Sequence, residues 1–350
     1  MKTIILTGIR KMEMQEIPAP TIHNNSDVLL KIDAVGVCGS DMHYYTTGRI
    51  GDQIVKYPFT IGHECIATIQ EVANAVQNLK PGDRVAIEPA ISCGTCYQCK
   101  RGRFHTCYNL QFLGCPGQLD GGLSEFIVMP EVNCFPIPDE LNMERSIFIE
   151  PVSIGCYAHQ LAGDLTEKTI GVLGTGPIGL SILLSMYQTE TGNIYATDKI
   201  NSRLSFAKSL GASWTGNPDE IDIVEAIHDL ETHSLDLVFE CCGQQEALDQ
   251  ALEILKPGGT LVIVGISEAE RISFDVSKMR RKEITIRNVR RQNECMEEAM
   301  QLVSRHPYPI EKLVTHTFHF EQTQDAFDLV AGYKDGVIKA MVKVNADSTE

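Results

Sequence analysis

Two cysteine-bearing segments hold residues whose types and spacing could do chemistry. Cys93, Cys96, Cys99 and Cys107 place four soft donors in a short span, with Gly94 and Gly102 allowing the chain to curl around one ion. Four thiolates with no open coordination position describe a structural tetrahedral zinc, which stabilises a loop and performs no reaction. A redox CxxC pair would explain two of those sulfurs and leave two over. In the other segment, Cys38-Gly39-Ser40-Asp41-Met42-His43 and Gly62-His63-Glu64 offer a thiolate, an imidazole and a carboxylate, and Glu150 adds a second acid. Such residues could share a catalytic metal or serve as ordinary buried and solvated side chains, and spacing alone does not decide between the two.

A third feature is the turn Gly174-Thr175-Gly176-Pro177-Ile178-Gly179, which follows an apolar strand candidate and opens an apolar helix. In that setting the glycines permit a tight turn, close approach of backbone to a pyrophosphate, and packing of helix on strand. The anion would sit where free N–H groups and the helix dipole favour it. Asp198 ends the next strand candidate, where a carboxylate accepts hydrogen bonds from the adenosine ribose and repels a 2′-phosphate. NAD is therefore expected, while Lys199 and Arg203 nearby leave NADP open.

These residues need two kinds of scaffold. Up to about residue 150, short β-rich runs (28–35, 67–72, 85–87, 126–129) are separated by Gly and Pro. From about residue 154, strand candidates begin near Ile170, Ile194, Asp236, Thr260 and Ile284 with helical patterns between them. That alternation predicts an α/β, doubly wound parallel sheet. Lys256-Pro257-Gly258-Gly259 reads as the end of one helix, Asn201 or Ser202 as the cap of another, and residues 345–350 as a loose tail.

Composition narrows the partners. The chain has 350 residues, 43% hydrophobic and 22% charged, enough to bury the cores of two domains. Its formal charge of −16 repels phosphate backbones and anionic lipid surfaces, so neither nucleic acid nor membrane is an expected partner. The apolar run 170–186 is broken by Gly174, Gly176, Pro177 and Gly179, which argues against a membrane span. Twelve cysteines with no export signal point to a reducing compartment, the cytoplasm.

Taken in order and at their intervals, CGSDMH, GHE, the cysteine lobe, Glu150-Pro151 and GTGPIG with its Asp resemble the zinc-dependent medium-chain dehydrogenases over essentially the whole chain. Within that family, HYYTTGRIGD at residues 43–52, leading through Lys56-Tyr57-Pro58 to GHE, is most similar to the sorbitol (polyol, L-iditol) dehydrogenases. The resemblance implies a GroES-like catalytic domain, residues 1–153 and 290–350, and a Rossmann coenzyme domain, residues 154–289. It also implies one structural and one catalytic zinc per chain.

By the same resemblance Cys38, His63 and Glu64 surround the catalytic zinc, and Glu150 reaches it directly or through water. Ser40 takes the substrate's proton and His43 is a later relay member. Gly174, Gly176, Pro177, Ile178, Gly179, Asp198 and Arg203 hold NAD, while Tyr44, Phe112 and Arg290 contact the substrate, with Leu113 the competitor for the place of Phe112. The implied reaction is reversible oxidation of a sugar alcohol to a ketose by a homodimer or homotetramer.

Departures from the family pattern open alternatives. Ala67 and Ala73 stand where glycines normally follow GHE. The adjacent Arg290 and Arg291 would suit a carboxylate or phosphate, so a sugar acid or polyol phosphate is the alternative substrate. A non-catalytic nucleotide-binding sensor would keep the glycine turn but need no open metal site.

Overall fold

The computed structural model describes residues 1–345 and divides the chain into two units, Met1–Glu150 with Met296–Glu350, and Pro151–Cys295. Apart from Asn345, the expected loose tail lies outside the described residues. The division leaves Arg290, Arg291 and Gln292 with the second unit.

The first unit is built on a seven-stranded sheet. Its central strand, Asp27–Gly36, buries Val28, Leu30, Ile32 and Ala34 completely, the period of two that a half-buried strand requires. Glu64–Val72 pairs antiparallel on one side, with Gly36 opposite Glu64 and Val35 opposite Cys65. Lys339–Lys343 pairs antiparallel on the other side, with Met341 opposite Gly36. Three distant segments thus end side by side, and continuing the register two residues brings Lys339 beside the Val37-Cys38 corner, where Val37 N donates to Ala340 O at 2.9 Å.

The second unit is a six-stranded parallel sheet ordered Trp214–Gly216, Ile194–Thr197, Ile170–Leu173, Leu235–Glu240, Leu255–Ile263, Thr285–Asn288. That is the 3-2-1-4-5-6 order of a Rossmann fold, reversing direction at Ile170–Leu173. Trp214–Gly216 was not anticipated; it is three residues long and ends on glycine. The helix before Lys256 ends at Ile254, so Lys256-Pro257-Gly258-Gly259 lies inside the next strand, at a register shift, rather than closing the helix. Ile200, not Asn201 or Ser202, caps the helix Asn201–Ser209. Among the described residues no helix is long and apolar enough to cross a membrane.

Candidate active site

In the cysteine lobe local turns do the positioning. Gly94 and Gly102 take left-handed φ values of 68° and 69°, and the sulfurs of Cys93, Cys96, Cys99 and Cys107 all lie within 4.8 Å of one another. Backbone N–H groups of Cys93 and Asn109 donate to Cys107 Sγ at 3.3 and 3.4 Å. Hydrogen bonds from Thr95 pull the Cys93 thiol down to about 5, and those from Cys99 and Tyr108 lower Cys96, whereas desolvation and neighbouring thiols push Cys99 up to about 11. Four converging sulfurs wrapped in N–H donors fit a tetrahedral zinc.

At the second cluster, the Val37-Cys38 corner ends the central strand and Cys38 caps the helix Gly39–Thr46. Asp41, fully buried, accepts from Cys38 N through Oδ2 at 3.3 Å and places Oδ1 3.2 Å from His63 Nδ1. One carboxylate therefore caps the helix and turns the imidazole so that Nε2 faces Ser40 Oγ at 3.5 Å. Ser40 Oγ also donates to Cys38 Sγ at 3.3 Å. A thiol and an imidazole nitrogen meeting at one hydroxyl, with the other ring nitrogen held by a carboxylate, is a donor set that fits zinc.

Glu64 is held differently. Its carboxylate accepts from Lys339 Nζ at 2.7 and 2.5 Å, and both side chains are buried. Gly36 makes this possible, since a Cβ there would stand 2.3 Å from Glu64 Oε2. Among the described residues, the cysteine lobe is the group of three or more donors closing to 4.8 Å; Cys38, His63, Glu64 and Glu150 do not close to that spacing.

Charge couples this cluster. Burial pushes Glu150, in the first turn of Ile149–Ala162, up to about 7, with Glu64 and Asp41 adding to the rise and His63 and Lys339 opposing it. Burial alone would lower His63, but Asp41 and Cys38 outweigh it and the ring's pKa lies well above its ordinary value. Burial, then Glu64, raises Cys38 against the opposing pull of His63.

Phe112 lies against His63 with ring centroids 5.2 Å apart, while Leu113 joins the hydrophobic core. Tyr44 is buried, donates its hydroxyl to Gln53 Oε1 at 3.2 Å and stands 3.8 Å from Cys115 Sγ. Arg290 is exposed and belongs to the second unit, whereas Tyr44 and Phe112 belong to the first. His43 occupies the last turn of the Cys38 helix.

The glycine turn has the geometry its sequence requires. Gly174 has φ +94°, Gly176 caps the helix Pro177–Ser185 with Pro177 at its first position, and a Cβ at Gly179 would stand 1.9 Å from Gly174 O. Asp198 Oδ2 accepts from Thr175 N at 2.8 Å, and Oδ1 accepts from Ile200 N at 2.9 Å. Arg203 is buried, with Nη1 3.9 Å from Asp198 Oδ2 and 3.4 Å from where a Gly176 Cβ would be. A cation thus lies over the helix start, beside a carboxylate at the end of the second strand, an arrangement that fits a dinucleotide.

Residues 24–139 match the family model described as an alcohol dehydrogenase GroES-like domain, and residues 177–305 the one described as a zinc-binding dehydrogenase. A sorbitol dehydrogenase from Bacillus subtilis (strain 168) is 36% identical over 346 residues, covering 99% of this chain and 98% of the relative. The chain belongs to the zinc-dependent medium-chain dehydrogenases. An L-idonate 5-dehydrogenase from Vitis vinifera is 33% identical, covering 93% of this chain and 90% of the relative. Among solved structures, a zinc-binding dehydrogenase from Sinorhizobium meliloti 1021 bound to NADP superposes with a TM-score of 0.89 at 27% identity, covering 98% and 99% of the two chains. The expected GroES-like and Rossmann architecture is therefore the observed one.

Three supporting residues of this dehydrogenase escaped the sequence reading. Asp41 had a signal, an acid three residues after the helix cap, as in a capping box. Lys339 had none, because a sheet register brings it to Glu64 from the far end of the chain. Glu240, fully buried at the end of its strand, accepts from Cys242 N and Gly243 N at 2.7 and 2.6 Å and fixes the following turn.

Proposed function

We propose that this dehydrogenase oxidises a secondary hydroxyl of a sugar alcohol to the ketose, reversibly, with zinc at Cys38 and His63 and NAD as hydride acceptor. The observation that carries this reading is the meeting of Cys38 Sγ, Ser40 Oγ and His63 Nε2 above a buried Asp41. Zinc and NAD, when bound, supply acidification of the substrate hydroxyl and a place for the departing hydride.

The chain's own groups do the rest. Asp41 holds Nδ1 of His63 and so keeps Nε2 directed at the reacting site. Ser40, between thiol and imidazole, accepts the hydroxyl proton, and His43 lies one turn on along the same helix face to carry it further. Lys339 balances Glu64, so that Cys38, Glu64 and Glu150 do not crowd uncompensated negative charge around the substrate. Phe112 shapes an apolar wall beside His63, Tyr44, whose proton goes to Gln53 Oε1, would accept from a substrate hydroxyl, and Arg290 would donate to one. Glu150 stands near the metal as a further acid.

NAD, rather than NADP, is supported by Asp198, whose carboxylate would face a 2′-phosphate. Arg203, Gly174, Gly176, Pro177, Ile178 and Gly179 would cradle the pyrophosphate. The cysteine lobe would hold a second, structural zinc. Twelve free thiols suit the cytoplasm, and the family resemblance supports a homodimer or homotetramer.

A second reading, the same chemistry on a sugar acid or polyol phosphate, is favoured by the adjacent Arg290 and Arg291 and by the likeness to an L-idonate enzyme. NADH formation by zinc-loaded protein against neutral polyols, aldonates and polyol phosphates, repeated with NADP, tests both. Turnover of neutral polyols with NAD is the expected result; turnover of anions alone selects the second reading, and a silent panel rejects both.

A further inference from the structure

The wall that runs from His63 does not stop at Tyr44. The Phe112 ring packs on His63, Cys115 N donates to Phe112 O at 3.2 Å, and Cys115 Sγ meets the Tyr44 hydroxyl. Tyr44 in turn donates to Gln53 Oε1. Gln53 sits on the short hairpin of Arg49–Ile50 and Gln53–Ile54, turned at Gly51 (φ +55°) and tied to the turn that follows the Cys38 helix where Val55 N donates to Gly48 O at 2.9 Å. Its side chain is therefore held at both its root and its carbonyl.

An amide so held has one free end. With Oε1 committed to a phenol that donates, the amino group faces the other way, and among the described residues it has no hydrogen-bond partner and is not sealed from solvent. It is a neutral pure donor, suited to an oxygen lone pair and indifferent to substrate charge. The helix also supplies a ruler. Tyr44 lies six residues beyond Cys38, which at ~1.5 Å per residue is about 9 Å along the axis. Gln53, bonded to the Tyr44 hydroxyl and not to the residues around Cys38 and His63, would therefore be offered to a substrate oxygen other than the one on the reacting carbon.

We propose that Gln53 is a specificity-determining residue whose amide donates to a hydroxyl remote from the oxidised carbon, so that the site selects extended pentitols and hexitols over short diols. This rests on the polyol reading above and deepens it. The hydrogen bond is made equally in ground and transition states, so its loss should appear chiefly in KM.

The test compares kcat/KM of zinc-loaded wild type, Gln53→Leu and Gln53→Glu on a hexitol, a pentitol and butane-2,3-diol, with zinc content and melting temperature measured alongside. Gln53→Leu is expected to reduce the hexitol-over-diol preference about tenfold, through KM. Gln53→Glu, which still accepts from Tyr44 and can accept from a substrate hydroxyl, should recover part of that preference on neutral polyols. An equal loss on hexitol and diol, or an unchanged preference, overturns the role of Gln53 while leaving the polyol reading in place. A wild type that turns over no polyol overturns that reading and this proposal with it.

Discussion

The two cysteine-bearing clusters are both suited to zinc, yet they are built in opposite ways. In the lobe, four sulfurs between Cys93 and Cys107 converge through left-handed glycine turns and are wrapped in backbone N–H groups. Around Cys38, the residues come from separate segments of the chain, and two of them are held by groups that bind no metal: His63 by Asp41, and Glu64 by Lys339 in the space that Gly36 leaves. A closed site needs ligands alone. A site that must keep a position open for substrate needs its ligands held from outside, because the missing fourth donor leaves their geometry underdetermined.

The sharpest way to break this contrast is to remove one sulfur from each cluster. Cys38→Ala is expected to lower turnover by on the order of a thousandfold or more and to remove one zinc, leaving the lobe metal in place. Cys96→Ser should do the reverse, losing the lobe zinc and lowering the melting temperature, with most turnover per folded molecule retained. Metal analysis with parallel kinetics checks both, and loss of both metals from either variant would show that the clusters are not independent.

A smaller effect is expected one layer out. Lys339→Met leaves the buried Glu64 carboxyl without its partner, which should cost about 3–5 kcal/mol in denaturant unfolding. Adding Glu64→Gln removes the stranded carboxyl and should recover most of the loss. If the single variant is as stable as wild type, the pair does not hold the second cluster together.

The same contrast decides what could be read from the sequence. The lobe and the glycine turn are legible because their partners are neighbours in the chain, and a glycine at Gly94, Gly102 or Gly174 reports a local backbone need. The parallel sheet is legible because apolar strands alternate with helices, although Trp214–Gly216 is too short to show a period. The polar support of the second cluster is another matter. Cys38, His63 and Glu64 were named by family resemblance, not by spacing, and Lys339 reaches Glu64 through strand registers that no local pattern encodes. Gln53 is equally silent as a residue type, and only its bond to Tyr44 singles it out.

Acid separates metal loss from loss of fold, through a third place in the first unit that involves neither cluster. Arg145 donates to the carbonyls of Val303 and His306 and pairs with Glu311 at 3.2 Å, tying Met143–Ser146 to the end of the helix Met296–Arg305. Burial, then the Arg145 guanidinium, lowers the His306 ring to about 4, and its Nδ1 accepts from Tyr308 N at 3.1 Å, a bond only the neutral ring can make. The unfolded chain takes up this proton near the ordinary value of ~6.5. The folding contribution is therefore whole above that value and drains as pH falls towards 4, by about 1–2 kcal/mol. His306→Gln, which does not titrate, should flatten this part of the stability profile without changing the zinc released on acidification. Urea unfolding at neutral pH and near pH ~5, with released zinc followed by a chelating dye, measures both quantities. If the slope survives in the variant, acid acts through groups other than this histidine.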